Sequence, residues 1–367
     1  MSRITAVYRV RSSASAIEGR AKGIAVEQSV EMPVEAIDDP AVLADIVGTV
    51  ESIEDRRDGS FAVRIGLALA TTGPEPGQLL NMLFGNSSIQ DDVSLEDAEF
   101  PPEITAAFEG PRHGIAGLRA RCGAEGRAMT CSALKPQGLA PEALGKLAAR
   151  MALGGLDFIK DDHGLANQAY SPFAARVRAV GRAVAEANKH TGGRTRYAPS
   201  LCGNLDQMRA QVRAARDEGI DSLLVAPMIA GMANFHALVR EFADMAFMAH
   251  PAMGGTARIS PPFLIGKLFR LLGADAAIFP NHGGRFGYSP ATCLALANAA
   301  RGAMAGLKPC IPVPAGGMTL DRVNEMLDFY GPDVMLLIGG GLLAARENLT
   351  RDAAAFQRQV ASYAHRN

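Results

Sequence analysis

From residue 127 onward, short apolar runs alternate with stretches whose apolar residues recur at helical spacing. The runs fall at 128–134, 156–160, 194–200, 222–226, 246–250, 275–279, 310–314 and 334–338. Amphipathic stretches fill the gaps at 142–153, 173–190, 206–217, 234–245, 261–272, 290–305 and 320–329, with a last one near 345–363. Eight strand–helix units over roughly 235 residues predict a closed (β/α)8 barrel. A doubly wound open sheet is the competitor, but no GxGxxG follows the first strand and the count is even. Upstream the pattern is mixed. Residues 3–10 and 60–70 alternate as strands do. Ala14–Lys22 and Pro76–Phe84 read as helices, the second stopped by Gly85-Asn86. The chain therefore divides into a small α+β domain over 1–125 and a barrel over 126–367. Pro101-Pro102 and the run Gly110–Gly114 form the joining segment.

Composition narrows the class. Apolar residues make up 48% of the chain, enough for a large core, and 37 basic residues stand against 38 acidic ones. That balance gives no electrostatic footprint for nucleic acid or an anionic membrane. Five cysteines without a CxxC pair argue against a zinc ribbon or a secreted disulfide framework. The start of the chain lacks the apolar block of a signal peptide. The longest apolar stretch, Val334–Ala345, carries glycines and is too short to cross a bilayer. These features predict a soluble cytoplasmic protein.

A barrel places its chemistry just past the C-terminal ends of its strands, and the polar residues collect there. They are Lys135, the run Lys160-Asp161-Asp162-His163, Asn204, His250, then Asn281, His282 and Arg285, and finally Gly316-Gly317 and Gly339-Gly340-Gly341. The two glycine clusters follow the last two strands, where bare backbone N–H groups commonly cradle a phosphate. Each cluster alone could be an ordinary tight turn. Three readings fit the run at 160–163: a Schiff-base lysine, a surface ion-pair cluster, or a lysine carbamate that holds Mg2+ with Asp162 and His163. The adjacent carboxylate favours the metal, although an imidazole is an unusual ligand for Mg2+. Lys135 has the place of a proton-transfer base if its pKa is lowered, or of a phosphate counter-charge. His250 is either a catalytic group or a packed barrel histidine. His282 and Arg285 sit in a glycine-rich loop suited to phosphate or substrate contact. His113, His190, His236 and His365 read as structural or surface residues.

Several of these segments resemble one family. Gly154-Gly-Leu-Asp-Phe-Ile-Lys-Asp-Asp162 is similar to the large-subunit signature of ribulose bisphosphate carboxylase (RuBisCO). Leu134-Lys-Pro136 resembles its lysine–proline motif, Glu109–Ile115 its domain junction, and Pro312–Gly317 with Ile338–Gly341 its phosphate loops. Gly23–Ser29 is similar to the segment whose glutamate reaches the partner subunit's site. The resemblance implies a ferredoxin-like N-terminal domain, the barrel, and a homodimer with shared active sites. It implies that Lys160 is carbamylated, with Asp162 and His163 as further Mg2+ ligands. It makes Lys135 the enolising base or its proton partner. Gly317, Gly339 and Gly340 would hold phosphate, and Glu27 would enter from the neighbouring chain.

The departures point to a branch of that family. His163 stands where the carboxylases have glutamate, Pro251 where they have arginine, and Ala315 where they have serine. Phe279–Gly287 replaces their mobile lysine loop. Loss of the arginine and the lysine removes the second phosphate grip and the stabiliser of added CO2. The chain thus resembles a RuBisCO-like protein that keeps enolisation without carboxylation. The expected substrate is a small sugar with one phosphate and an apolar far end. Isomerisation of 5-methylthioribulose 1-phosphate in methionine salvage is the leading expectation. Enolisation of a diketo-methylthiopentyl phosphate and decarboxylation of 3-oxo-isoapionate 4-phosphate are the alternatives. A Schiff-base aldolase and a non-catalytic binding or stress-response homologue are the rival classes.

Overall fold

The computed structural model describes residues 2–363; His365, expected on the surface, lies outside the described residues. The chain forms two compact units. One holds the residues up to Glu109 with Met253–Leu264 and Met304–Leu307; the other holds Gly110–Ala252, Ile265–Ala303 and the residues from Lys308.

The smaller unit follows a βαββαβ course. Strands β1 (Arg3–Arg11), β2 (Thr49–Asp55), β3 (Ser60–Ala68) and β4 (Val93–Glu99) form one antiparallel sheet in the order β2-β3-β1-β4. This is the ferredoxin-like arrangement. Period-two alternation buries Ile4, Ala6, Tyr8 and Val10 of β1 on one face. The helix predicted over 14–22 runs instead over Ile17–Glu27, so Glu27 is its last residue. The helix Pro76–Phe84 begins as predicted: Pro76 opens it, and the Glu75 carboxylate accepts from Gly77 N at 2.8 Å and Gln78 N at 2.6 Å. β2 and β4 gave no apolar signal. β2 buries no residue fully, and three of the seven residues of β4 are acidic. A remote segment supplies β4's outer neighbour: Leu95 N donates to Arg258 O and Ser260 N to Leu95 O, both at 2.9 Å.

The larger unit has eight parallel strands where the apolar runs predicted them: β5 (Met129–Leu134), β6 (Phe158–Asp161), β7 (Arg196–Ala198), β8 (Ser222–Val225), β9 (Ala246–Ala249), β10 (Ala276–Pro280), β11 (Ile311–Ala315) and β12 (Met335–Leu337). Backbone pairing runs β12-β5-β6-β7 and β8-β9-β10-β11. A bridge between Ser200 and Leu224 joins β7 to β8, and β11 lies beside β12, which closes the ring. Met129, Cys131, Phe158, Leu224, Met248, Ile278 and Val313 fill the interior. Truncating one of these, such as Phe158 to Ala, costs about 3–5 kcal/mol.

The units divide at Glu109/Gly110, short of the expected 125. The reason is the helix Gly114–Cys122, which follows the joining run Gly110–Gly114 and which the sequence reading left in the small domain: its Ile115, Leu118 and Cys122 enter the barrel's own core cluster. The buried Asp275 carboxylate fixes this junction, accepting from His113 N at 2.8 Å, Gly114 N at 2.7 Å and Phe247 N at 3.0 Å. Among the described residues no helix is long and apolar enough to cross a membrane.

Candidate active site

Strand alternation explains how the run at 160–163 divides its labour. Phe158 points into the barrel core, so Lys160, two residues on, faces the same way. Ile159 and Asp161 face outward to the helices. Lys160 is only 4% exposed, and its Nζ donates to the Asp161 carbonyl oxygen at 3.0 Å. Burial pulls its pKa down to about 8, and nearby Lys135 adds to the shift. The outward Asp161 carboxylate accepts from Arg176 Nε at 3.0 Å, Tyr197 Oη at 2.8 Å and Ser200 N at 3.0 Å.

Asp162 lies just past the strand and is buried. Its carboxylate takes Lys135 Nζ on one oxygen, and on the other His163 Nδ1 at 3.0 Å and Gly164 N at 3.1 Å. Gly164 is fixed by close approach: a Cβ there would overlap the Gln137 amide, so the loops after β5 and β6 meet at this point. Lys135 follows β5 directly. Burial, then Arg285, holds its pKa below the usual lysine range.

The His163 ring stacks on His250, with centroids 4.0 Å apart and planes at 11°. Burial pushes His250 down to about 2, and Lys160, His163 and Lys135 add to this. His250 is therefore neutral. Its Nδ1 accepts from Ala252 N at 3.1 Å, which leaves the proton on Nε2. It is placed to donate a hydrogen bond rather than to take a proton. His163 is shifted down as well, by burial first and then by Lys160, Lys135 and Arg285. Lys135, Lys160 and Arg285 thus outnumber the Asp162 carboxylate, and both imidazoles are shifted down, a field that attracts anions.

The loops after β10 and β11 lock together. A Cβ on Gly284 would overlap the Gly316 carbonyl oxygen, and one on Gly317 would sit 2.5 Å from the Gly284 Cα. Gly316 and Gly317 hold φ of +81° and +84°, open to glycine at little cost. Arg285 lies over the Phe286 ring at 5.0 Å, and that ring's edge covers Gly316. After β12, Gly339 caps a short helix, Gly340–Leu343, and open space lies where a Gly340 side chain would project. The first N–H groups of such a turn have no partner within the helix.

Lys135, Lys160, Asp162, His163, His250 and Arg285 are brought together. His282 is not with them. Its ring packs against Phe329 at 4.6 Å, on the helix Val323–Tyr330, and its enclosed Nε2 has no hydrogen-bond partner. Asn204 caps the helix Leu205–Asp217 in a reciprocal pair with Gln207. Asn281 is buried between the Met318 and Met326 sulfurs and accepts from Tyr330 Oη at 2.6 Å. Both are structural. In the smaller unit, Asn86 Nδ2 donates to Glu27 at 2.8 Å and to Glu31 at 2.9 Å. The sequence reading missed Asn86, Arg176 and Tyr197. Asn86 was read only as a helix stop. Among the described residues no three His, Cys, Asp or Glu side chains converge as a metal needs.

Residues 114–363 match the family described as the ribulose bisphosphate carboxylase large chain, catalytic domain. The chain is 62% identical over 365 residues to the 5-methylthioribulose-1-phosphate isomerase of Rhodospirillum rubrum, covering 99% of this chain and 98% of that one. It is 32% identical over 293 residues to the 2,3-diketo-5-methylthiopentyl-1-phosphate enolase of Geobacillus kaustophilus, covering 77% and 70%. The crystal structure of a Rubisco-like protein from Rhodopseudomonas palustris superposes with a TM-score of 0.93 at 57% identity, covering each chain fully. The chain belongs to the ribulose bisphosphate carboxylase large-chain family, among its RuBisCO-like proteins.

Proposed function

We propose that the protein is an enolising isomerase of 5-methylthioribulose 1-phosphate in methionine salvage. The observation that carries this reading is Lys160, buried at the barrel rim two residues before Asp162, whose carboxylate pairs with Lys135; burial lowers the Lys160 pKa to about 8. The 62% identical isomerase supports the choice of substrate.

A neutral buried amine is the form that adds CO2. A carbamate on Lys160 would supply the oxygens that the donor set lacks, and would turn Asp162 and His163 into a three-residue site. The residues fit Mg2+ in that form, with His163 Nε2 the nitrogen left free by its bond to Asp162. Mg2+ held there would polarise the ketose carbonyl and make the adjacent C–H acidic. The chain's own groups do the rest. Lys135 takes the proton from carbon and returns it further along the sugar. His250 Nε2–H donates to the oxygen on which charge develops. The N–H groups of Gly316, Gly317, Gly339 and Gly340 hold the phosphate, and Arg285 adds a positive charge at the mouth. Glu27 of the partner subunit completes the site in a cytoplasmic homodimer. The five free cysteines suit that compartment. Carboxylation is not part of this reading, because the interlocked glycines stand where an added CO2 would need a lysine.

Proton exchange into D2O, followed by NMR with Mg2+ and bicarbonate, tests the reading across methylthio-sugar phosphates and sugar-acid phosphates. Exchange and a ketose or aldose product from 5-methylthioribulose 1-phosphate are expected. An enol or a released CO2 from another substrate, with no exchange on this one, would replace the isomerase with the enolase or the decarboxylase.

A further inference from the structure

We infer that Arg176 is a positioning residue for the chemistry at Lys160 and Asp162, acting through Asp161 and the loop that carries Asp162 and His163. The inference rests on the reaction centre proposed above. Arg176 lies on the helix Phe173–Thr191, outside the barrel wall, and is fully buried. Burying a guanidinium is costly unless its N–H groups are used. Here Nε donates to Asp161 Oδ2 at 3.0 Å, Nη1 to Ser171 O at 2.7 Å and Nη2 to Ala166 O at 2.7 Å. The Phe173 ring lies 5.4 Å from its carbon. All three acceptors fall between residues 161 and 171. The side chain therefore ties one loop to itself rather than bridging two helices.

The loop passes that hold inward. Ala166 N donates to Gln168 Oε1 at 2.8 Å, Gln168 Nε2 to Gly164 O at 2.7 Å, and Leu165 N to Asp162 O at 2.9 Å. On the barrel side of the same peptide, the Asp161 carbonyl accepts from Lys160 Nζ. The Asp161 residue is thus gripped outside by Arg176, Tyr197 and Ser200, and inside by the reacting lysine. Turning that peptide would move the Lys160 amine and the Asp162 carboxylate together. A small displacement of reacting groups has a large effect on rate and little on binding.

The test removes both charges at once, so that no buried ion is left alone. The double variant Asp161→Asn/Arg176→Met is compared with Asp157→Asn/Arg127→Met, which removes the ion pair at the other end of β6. With 5-methylthioribulose 1-phosphate, Mg2+ and bicarbonate, the first should lose about thirtyfold or more in kcat, with KM within about threefold. Its amides at 163–166 should exchange about tenfold faster. The second should melt lower and keep kcat within about twofold. Tyr197→Phe, which removes one bond without unpairing a charge, should lower kcat about threefold. The inference is overturned if the folded first variant keeps kcat, or if KM rises in step. It is also overturned if the Arg127 control loses as much kcat. Should the first variant not fold, an unchanged kcat in Tyr197→Phe overturns it. If the wild type exchanges no substrate proton, or Lys160→Ala still does, the reaction proposal fails instead, and the amide exchange still tests the grip of Arg176.

Discussion

Just before β6, Asp157 is held by Arg127 through two bonds of 2.7 Å. Four residues on, at the end of the strand, Asp161 is held by Arg176. Both carboxylates are buried and both face outward from the barrel. The lower pair also binds its neighbouring strand, accepting from Thr130 N at 2.8 Å and Thr130 Oγ1 at 3.0 Å, so it stitches the start of β5 to β6. The upper carboxylate also bonds the next strand, through Tyr197 Oη and Ser200 N, but its arginine places its other two donors on a loop. The same two residue types, with the arginine partly exposed in the lower pair and enclosed in the upper one, therefore hold register at one end of the strand and a reaction centre at the other. This matches the general division of a (β/α)8 barrel, with stability at the N-terminal face and chemistry at the C-terminal face.

Lys160→Ala should lower turnover by a factor of about a thousand or more while the protein elutes as the wild type does in size-exclusion chromatography. Lys135→Met should cost about 10²–10⁴ in kcat. A rise in KM with unchanged kcat would make Lys135 a phosphate contact instead. Single removal of either arginine, Arg127→Met or Arg176→Met, leaves a buried unpaired carboxylate and should cost about 3–5 kcal/mol in denaturant unfolding. Equal stability losses with unequal loss of activity would sharpen the contrast.

Lys160 also marks the upper end by its pH response. Its folded pKa, about 8, lies below the unfolded value near 10.5, so the unfolded chain binds the extra proton between them. Without bicarbonate, stability contributed at this site rises from pH 8 to 10.5, on the order of 3 kcal/mol, and is absent below pH 8. Lys160→Met should flatten that part of the curve. The smallest effect belongs to Asn204→Ala, which removes a helix cap for about 1 kcal/mol and should leave kcat untouched.

The barrel was legible because its strands are short apolar runs and polar residues or glycines follow all of them except β8. β2 and β4 were not, because strands with a solvent face and acidic residues carry little hydrophobic signal. The centre at Lys160, Asp162 and Lys135 was legible from strand-end position. The grip of Arg176 was not, since a partner fifteen residues away, on a helix of alternating Arg and Ala, has no periodicity that marks it. His282 was misleading for a related reason. A strand-end position says where a backbone emerges, and here the ring turned to Phe329.

The backbone-to-backbone seam of Gly284 with Gly316 and Gly317 limits what single mutations can reach. No single substitution can put a long basic side chain into that seam, because any side chain must first prise two loops apart. A cation at this part of the rim would have to come with inserted residues, so the seam closes off the route by single exchanges.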